Sequence, residues 1–203
     1  LEVGASAGLN LFPDRYGYEY DAGLGVTRLG PAGAAPGSYP VLGCTVTGPV
    51  PLPAELPSVA WRAGIDLNPL DVRNADDVAW LEALIWPEQD FRRERLRRAI
   101  AVERADPPLL VAGDLNDRLL ALPAQAPPDA TLVVFHSAVL AYLDAEARGR
   151  FRAAMARLAV DTGYEAPAVY AWARRQGLAQ VAPVKGVEGF NRASPVSGPT
   201  YVD

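Results

Sequence analysis

The residues of this sequence whose types could do chemistry follow short apolar runs. Gly4 ends the first run and Gly8 comes four residues later, and glycines let a ligand approach the backbone because they have no side chain. Asp66 and Asp114 follow the second and third runs. A carboxylate at Asp66 is suited to accept hydrogen bonds from ribose hydroxyls, and one at Asp114 is suited to reach an adenine. His136, the only histidine, follows the fourth run and is the candidate general base. Together these residues predict a site for an adenosyl ligand.

The glycine turn, EVGASAGLN at residues 2–10, departs from two common nucleotide-binding signatures. Ser6 and Leu9 stand where the nicotinamide fingerprint G-x-G-x-x-G has its second and third glycines. The Lys-Ser/Thr pair of a phosphate-binding P-loop is also missing. Glu2, which precedes Gly4, fits the S-adenosylmethionine pattern better, since no pyrophosphate must be accommodated there. The turn therefore favours S-adenosylmethionine as the cofactor.

Each of these residues also has a purely structural interpretation, and the sequence leaves both open. A glycine pair after a strand also forms a tight turn, and Asp66 and Asp114 are equally suited to cap a helix or form a turn. His136 is suited to a structural hydrogen bond at a strand terminus. Ser137 is a weak nucleophile candidate because no G-x-S-x-G elbow surrounds it.

An arginine-rich run in the second predicted helix allows two interpretations as well. Contact with an anionic partner is one of them. Glu94 and Glu103 interleave with the arginines, which is more typical of a solvated helix face. The arginines are Arg92, Arg93, Arg95, Arg97 and Arg98.

The elements that must position these residues alternate between strand and helix. Short, continuous apolar runs of this kind are typical of a parallel sheet covered on both faces, and ligands bind at the carboxyl ends of its strands. Glycine, proline and short alternating stretches at residues 16–57 predict an inserted set of hairpins. The predicted fold class is α/β, with a Rossmann-like, mainly parallel sheet and helices on both faces. The predicted strands are 1–4, 59–67, 109–112 and 131–135, and the predicted helices are 76–86, 90–104, 138–143 and 146–158.

Composition restricts the class of protein. The 203 residues are half apolar and carry a net charge of -5, which fits a soluble globular domain and disfavours a general nucleic-acid coat protein. No run approaches the ~20 apolar residues of a membrane helix, and the N-terminus shows no secretory signal pattern. With one cysteine, Cys44, and one histidine, the chain cannot assemble a Cys/His zinc site. We expect a cytoplasmic protein.

Residues 1–158 resemble a family of uncharacterised bacterial proteins, a domain of unknown function with a methyltransferase-like fold. The most specific segments are EVGASAGLN and FHSAVL at residues 135–140. The resemblance implies an S-adenosylmethionine pocket and leaves the methyl acceptor unspecified. The residues implied in cofactor binding are Glu2, Gly4, Gly8, Asp66 and Asp114, with the adjoining Ala5, Ser6, Asn10, Leu67 and Leu115.

The sequence changes character near residue 158. Residues 157–203, with VDTGY at 160–164 and VKG at 184–186, resemble the nuclease domain of phage terminase large subunits. That resemblance implies that Asp161 helps hold a catalytic divalent metal for two-metal cleavage of DNA. Either residues 159–203 are a fused segment, or they form an ordinary final β-α-β of the first domain.

Both interpretations of this tail predict the same local structure, a strand at 158–160, a helix at 167–176 and a strand at 180–184. The other carboxylates of a metal site that includes Asp161 would lie beyond residue 203. Because the chain also opens directly on a strand end, we expect a fragment that is incomplete at both ends. DNA is a partner only under the nuclease interpretation, and a small adenosyl molecule is the partner under the methyltransferase-like interpretation. A third interpretation is a non-catalytic remnant that keeps the fold and has lost the ligand.

Overall fold

The structure is a computed structural model that describes residues 1–23, 25–48 and 50–161. The chain divides into two compact units. The first unit comprises Leu1–Ala5, Gly64–Asn68 and the chain from Val111 onward, and the second comprises Ser6–Ala63 and Pro69–Leu110. The elements in chain order are β1 (Glu2–Val3), β2 (Gly17–Asp21), β3 (Val26–Leu29), β4 (Val41–Thr45), β5 (Ala63–Asp66), α1 (Ala75–Ala83), α2 (Asp90–Ala105), β6 (Leu109–Ala112), α3 (Leu115–Arg118) and α4 (Ala145–Asp161).

A small parallel sheet holds the strands that the sequence predicts. Its order is β1-β5-β6, and β1 runs parallel to β5 with Glu2 opposite Gly64. On the other side of β1, Phe135 forms a parallel bridge with Glu2, and the Val3 N–H donates to the Phe135 carbonyl at 3.0 Å. The order across the sheet is therefore the bridge segment 133–135, then β1, β5 and β6.

The second unit contains its own sheet, in the order β3-β2-β4. β2 and β3 form an antiparallel hairpin, whereas β4 lies parallel to β2. A buried cluster of Ala7, Val72 and Ile100 holds α1 and α2 in this unit, with partly buried leucines packed against it. Asn74 caps α1 by accepting from the Asp76 N–H at 2.8 Å. Three short strands thus lie within residues 16–57, and β4 is not part of a hairpin. That this segment is an insertion stays a prediction.

The structure confirms the mixed α/β class with a small parallel sheet, while the Rossmann-like arrangement stays a prediction. Three predicted strands are shorter than expected: 1–4 is reduced to β1, 59–67 is reduced to β5, and 131–135 is reduced to bridges at Val133 and Phe135. The predicted helix 138–143 is a short 3-10 helix, Val139–Tyr142. No described helix is both long enough and apolar enough to cross a membrane.

The predicted strand at residues 158–160 is wrong, because α4 continues through Asp161. Residues 150–161, RFRAAMARLAVD, contain neither glycine nor proline and are rich in alanine, so helix propensity favours continuation of the helix. The rest of the predicted strand-helix-strand tail, from residue 162 on, lies outside the described residues.

Candidate functional site

The carboxyl ends of the parallel strands meet at one edge of the sheet in the first unit. The Gly4 N–H donates to the Ile65 carbonyl at 2.8 Å, which connects the end of β1 to the residue before Asp66. The Gly113 N–H donates to the Asp66 carbonyl at 2.9 Å, which connects the end of β5 to the residue before Asp114. The predicted residues that belong to this unit are Glu2, Gly4, Ala5, Asp66, Leu67, Asp114, Leu115 and His136.

The turn after β1 requires glycine at position 4 for two reasons. Gly4 has φ +75°, a conformation that side chains disfavour. A Cβ at this position would also lie 2.5 Å from the Cβ of Val139. Both amides at the start of the turn are occupied, because the N–H groups of Gly4 and Ala5 donate to the Ile65 carbonyl. The missing side chain therefore makes room for Val139.

Asp66 and Asp114 both make the local hydrogen bonds that their structural interpretation requires. Oδ1 of Asp66 accepts from the Asn68 N–H at 3.0 Å. Oδ1 of Asp114 accepts from the Asn116 N–H at 2.8 Å and caps α3. A carboxylate has several further acceptor positions, so this bonding is compatible with a ligand contact at the same side chain.

The other predicted residues of this unit differ in accessibility. Glu2 is only 1% exposed and Leu115 is buried, whereas the Leu67 side chain is 77% exposed. His136 is exposed, its Nδ1 lies 3.3 Å from the Ser137 carbonyl, and its ring packs edge-on against Phe151. If Nδ1 donates to that carbonyl, Nε2 is the ring atom able to accept a proton.

Ser6, Gly8 and Asn10 belong to the second unit. Ser6 has φ +51°, and its carbonyl accepts from the Leu70 N–H at 3.3 Å. Gly8 has φ +73°, and a Cβ there would lie 3.0 Å from Cδ2 of Leu110. Backbone conformation thus accounts for this glycine also. The assignment of these residues to cofactor binding stays a prediction.

A cavity of about 380 Å³ lies within the second unit. Asn10 contributes to its lining, together with apolar residues of α1, α2 and β4 and with Arg92 and Arg95. The sequence alone does not indicate this cavity, because its wall combines residues from separate parts of the chain.

Glu103 is a buried titratable residue of α2, contrary to the expectation from the sequence. It was expected on a solvated helix face, but it is 4% exposed. The pKa of its carboxyl is raised to about 7, mainly by burial and in addition by the charge of Asp71, while the charges of Arg73 and Arg104 act in the opposite direction. The available signal was its position three residues after Ile100, which places it on the apolar face of α2.

The predicted metal ligand Asp161 is the last residue of α4. Within residues 1–23, 25–48 and 50–161, no group of three or more His, Cys, Asp or Glu side chains is arranged to hold a metal ion. The residues expected to complete the metal site would lie outside the described part of the chain.

The fold and the strand-edge residues define a mixed α/β protein with a candidate site at the carboxyl edge of a parallel sheet. The matching family model covers residues 1–182 and is described as an uncharacterized protein conserved in bacteria (DUF2332). The chain belongs to this family, which confirms the predicted resemblance to a bacterial domain of unknown function. No curated protein and no solved structure matches the chain. The family match continues past residue 158.

Proposed function

We propose that the protein binds S-adenosylmethionine at the carboxyl edge of its parallel sheet and is a methyltransferase-like protein. The observation that carries the proposal is the strand order. From β1 the chain builds β5 and β6 outward on one side, and it returns to the other side of β1 at residues 133–135. In open α/β sheets the ligand lies outside the strand ends where the order reverses. The first four strands of a doubly wound sheet follow the same order, and this likeness supports the proposal.

The side chains at this edge suit the separate parts of an adenosyl ligand. In this proposal, Asp66 accepts hydrogen bonds from the two ribose hydroxyls. Asp114 follows β6, one strand further out in the sheet, and is the residue proposed to contact the adenine. Leu67 is 77% exposed and offers an apolar surface to the base. Gly4 acts indirectly in this proposal, since it sets the path of the turn and accommodates Val139.

His136 is the candidate base for the reaction. Methyl transfer from S-adenosylmethionine moves a methyl group to a nucleophilic atom of an acceptor, which loses a proton when it is an N–H, O–H or S–H group. Nε2 of His136 would take that proton, while Nδ1 faces the Ser137 carbonyl. These residues do not indicate the chemical class of the methyl acceptor.

We do not propose the nuclease function. In the terminase-like interpretation Asp161 ends a strand, but here it belongs to α4.

Calorimetric titration of the folded chain with S-adenosylmethionine and S-adenosylhomocysteine tests the binding proposal. Asp66→Asn keeps an oxygen for the Asn68 N–H and removes the charged acceptor, so it should weaken binding by about tenfold or more. Asp129→Asn is the matched control, because Asp129 is exposed in a turn of the same unit, and it should leave the affinity unchanged. Absence of heat at millimolar ligand, with a native circular dichroism spectrum, would refute the proposal. Equal affinity in the two variants would remove Asp66 from the site.

A further inference from the structure

The five arginines of α2 between residues 92 and 98 fall into two groups. Three of them pair with carboxylates: Arg93 with Asp90 at 2.7 Å, Arg97 with Glu82 at 3.1 Å and Arg98 with Glu94 at 2.9 Å. These three form the solvated, charge-matched face that the sequence predicts.

Arg92 and Arg95 have no carboxylate partner within the described part of the chain. Nη1 of Arg92 donates to Oε1 of Gln89 at 3.0 Å, and the Arg95 guanidinium lies 5.6 Å from the centroid of the Phe91 ring. Both contacts are to neutral groups, so neither positive charge is compensated by an ion pair.

These same two arginines line the 380 Å³ cavity of the second unit. Most of the remaining wall is aliphatic and includes Leu42, Leu81 and Leu96, and no acidic residue takes part in it. The volume lies in the range of small-molecule sites, about 300–1,000 Å³. Two positive charges at an apolar cavity contrast with the net charge of -5 of the whole chain.

We propose that this cavity binds a small amphipathic carboxylate, with its apolar body against the leucines and its carboxylate between Arg92 and Arg95. Residues three apart on a helix have Cβ atoms about 5–6 Å apart, so two guanidinium groups at this spacing can reach one carboxylate. The planar fork of arginine matches a carboxylate in a bidentate way, and the aliphatic wall stabilises a hydrocarbon chain by removing it from water. The site uses residues of the second unit only, and it does not depend on the proposed cofactor site.

Calorimetry of the full chain with octanoate and with 1-octanol tests the inference. The two probes share a hydrocarbon chain and differ in charge, so octanoate should bind at least about tenfold more tightly. Equal affinity for the two probes, or no binding of octanoate at millimolar concentration to the folded protein, would overturn it. This comparison uses the unaltered protein and needs no variant to fold.

Two double variants identify the residues responsible. Arg92→Gln with Arg95→Gln should weaken octanoate binding by at least about tenfold and leave 1-octanol binding unchanged. Arg93→Gln with Arg98→Gln removes the same amount of charge from the same helix and should leave both affinities within about twofold. If the two double variants lose octanoate affinity equally, the attraction is that of the helix as a whole and the assignment to this cavity is wrong.

Discussion

The buried carboxyl of Glu103 makes the stability of the protein depend on pH in a defined direction. Glu103 is 4% exposed on α2, and burial is the largest cause that raises the pKa of its carboxyl from 4.5 to about 7. The group that adds to this effect is Asp71, and those that oppose it are Arg73 and Arg104. Arg104 donates from both Nε and Nη2 to the Val72 carbonyl, and Oε2 of Glu103 is buried without a hydrogen-bond partner among the described residues.

The sign of the effect follows from proton binding. A carboxyl whose pKa is higher in the folded state holds a proton that the unfolded chain has already lost, so acid favours folding. The contribution is fully present below pH 4.5 and is lost as the pH rises through about 7. At about 1.4 kcal/mol for each pH unit of this interval, the loss amounts to about 3 kcal/mol.

Glu103→Gln removes the titration while nearly keeping the shape of the side chain. Relative to the unaltered protein, the variant should gain about 2–3 kcal/mol in free energy of unfolding between about pH 5 and about pH 8. Urea unfolding followed by circular dichroism at several pH values measures this difference directly. Glu88→Gln is the control, because Glu88 is exposed and should show no such change with pH.

A difference between Glu103→Gln and the unaltered protein that stays constant with pH would refute the reasoning. It would mean that the Glu103 carboxyl titrates in the folded state as it does in the unfolded chain. If that result arose because local opening of the structure lets water reach Glu103, the amide hydrogens in the last turn of α2 should also exchange faster.

Two further predictions concern stability. Gly4→Ala should destabilise the first unit by about 2 kcal/mol or more, because it adds a side chain at φ +75° and 2.5 Å from the Cβ of Val139. Thermal unfolding measures the loss, and in a Val139→Gly background, which lacks that Cβ, the loss should be smaller because only the backbone strain at φ +75° remains. Asp14→Asn should lower the free energy of unfolding, measured with urea, by about 1–3 kcal/mol, because the Arg62 guanidinium forms a bidentate ion pair with the Asp14 carboxylate at 2.9 and 3.1 Å. Burial acts to raise the pKa of Asp14, but the interaction with Arg62 lowers it and the net change is a lowering. The stabilisation should therefore disappear as the pH falls through the lowered pKa. If Asp14→Asn and the unaltered protein lose stability equally as the pH falls, the prediction is wrong.

Local pattern was sufficient for several elements. β6 occupies the predicted residues, and α2 differs from its prediction by one residue at its end, because an apolar run or a helical period is read within a single segment. The strand-edge aspartates were predictable for the same reason, since each follows its own strand directly. The shortened strand before His136 was not, because strand length depends on how far a partner strand extends.

The sequence by itself determined where the glycine turn, the strand ends and the candidate residues Asp66, Asp114 and His136 occur along the chain. Only the tertiary structure decided what surrounds them. Val139 fills the space beside Gly4, Glu103 is buried instead of solvated, and two of the α2 arginines face a cavity while three pair with carboxylates. The physical reason is that packing and ion pairing join residues far apart in sequence, whereas hydrophobic period and turn chemistry act within a few residues of each other.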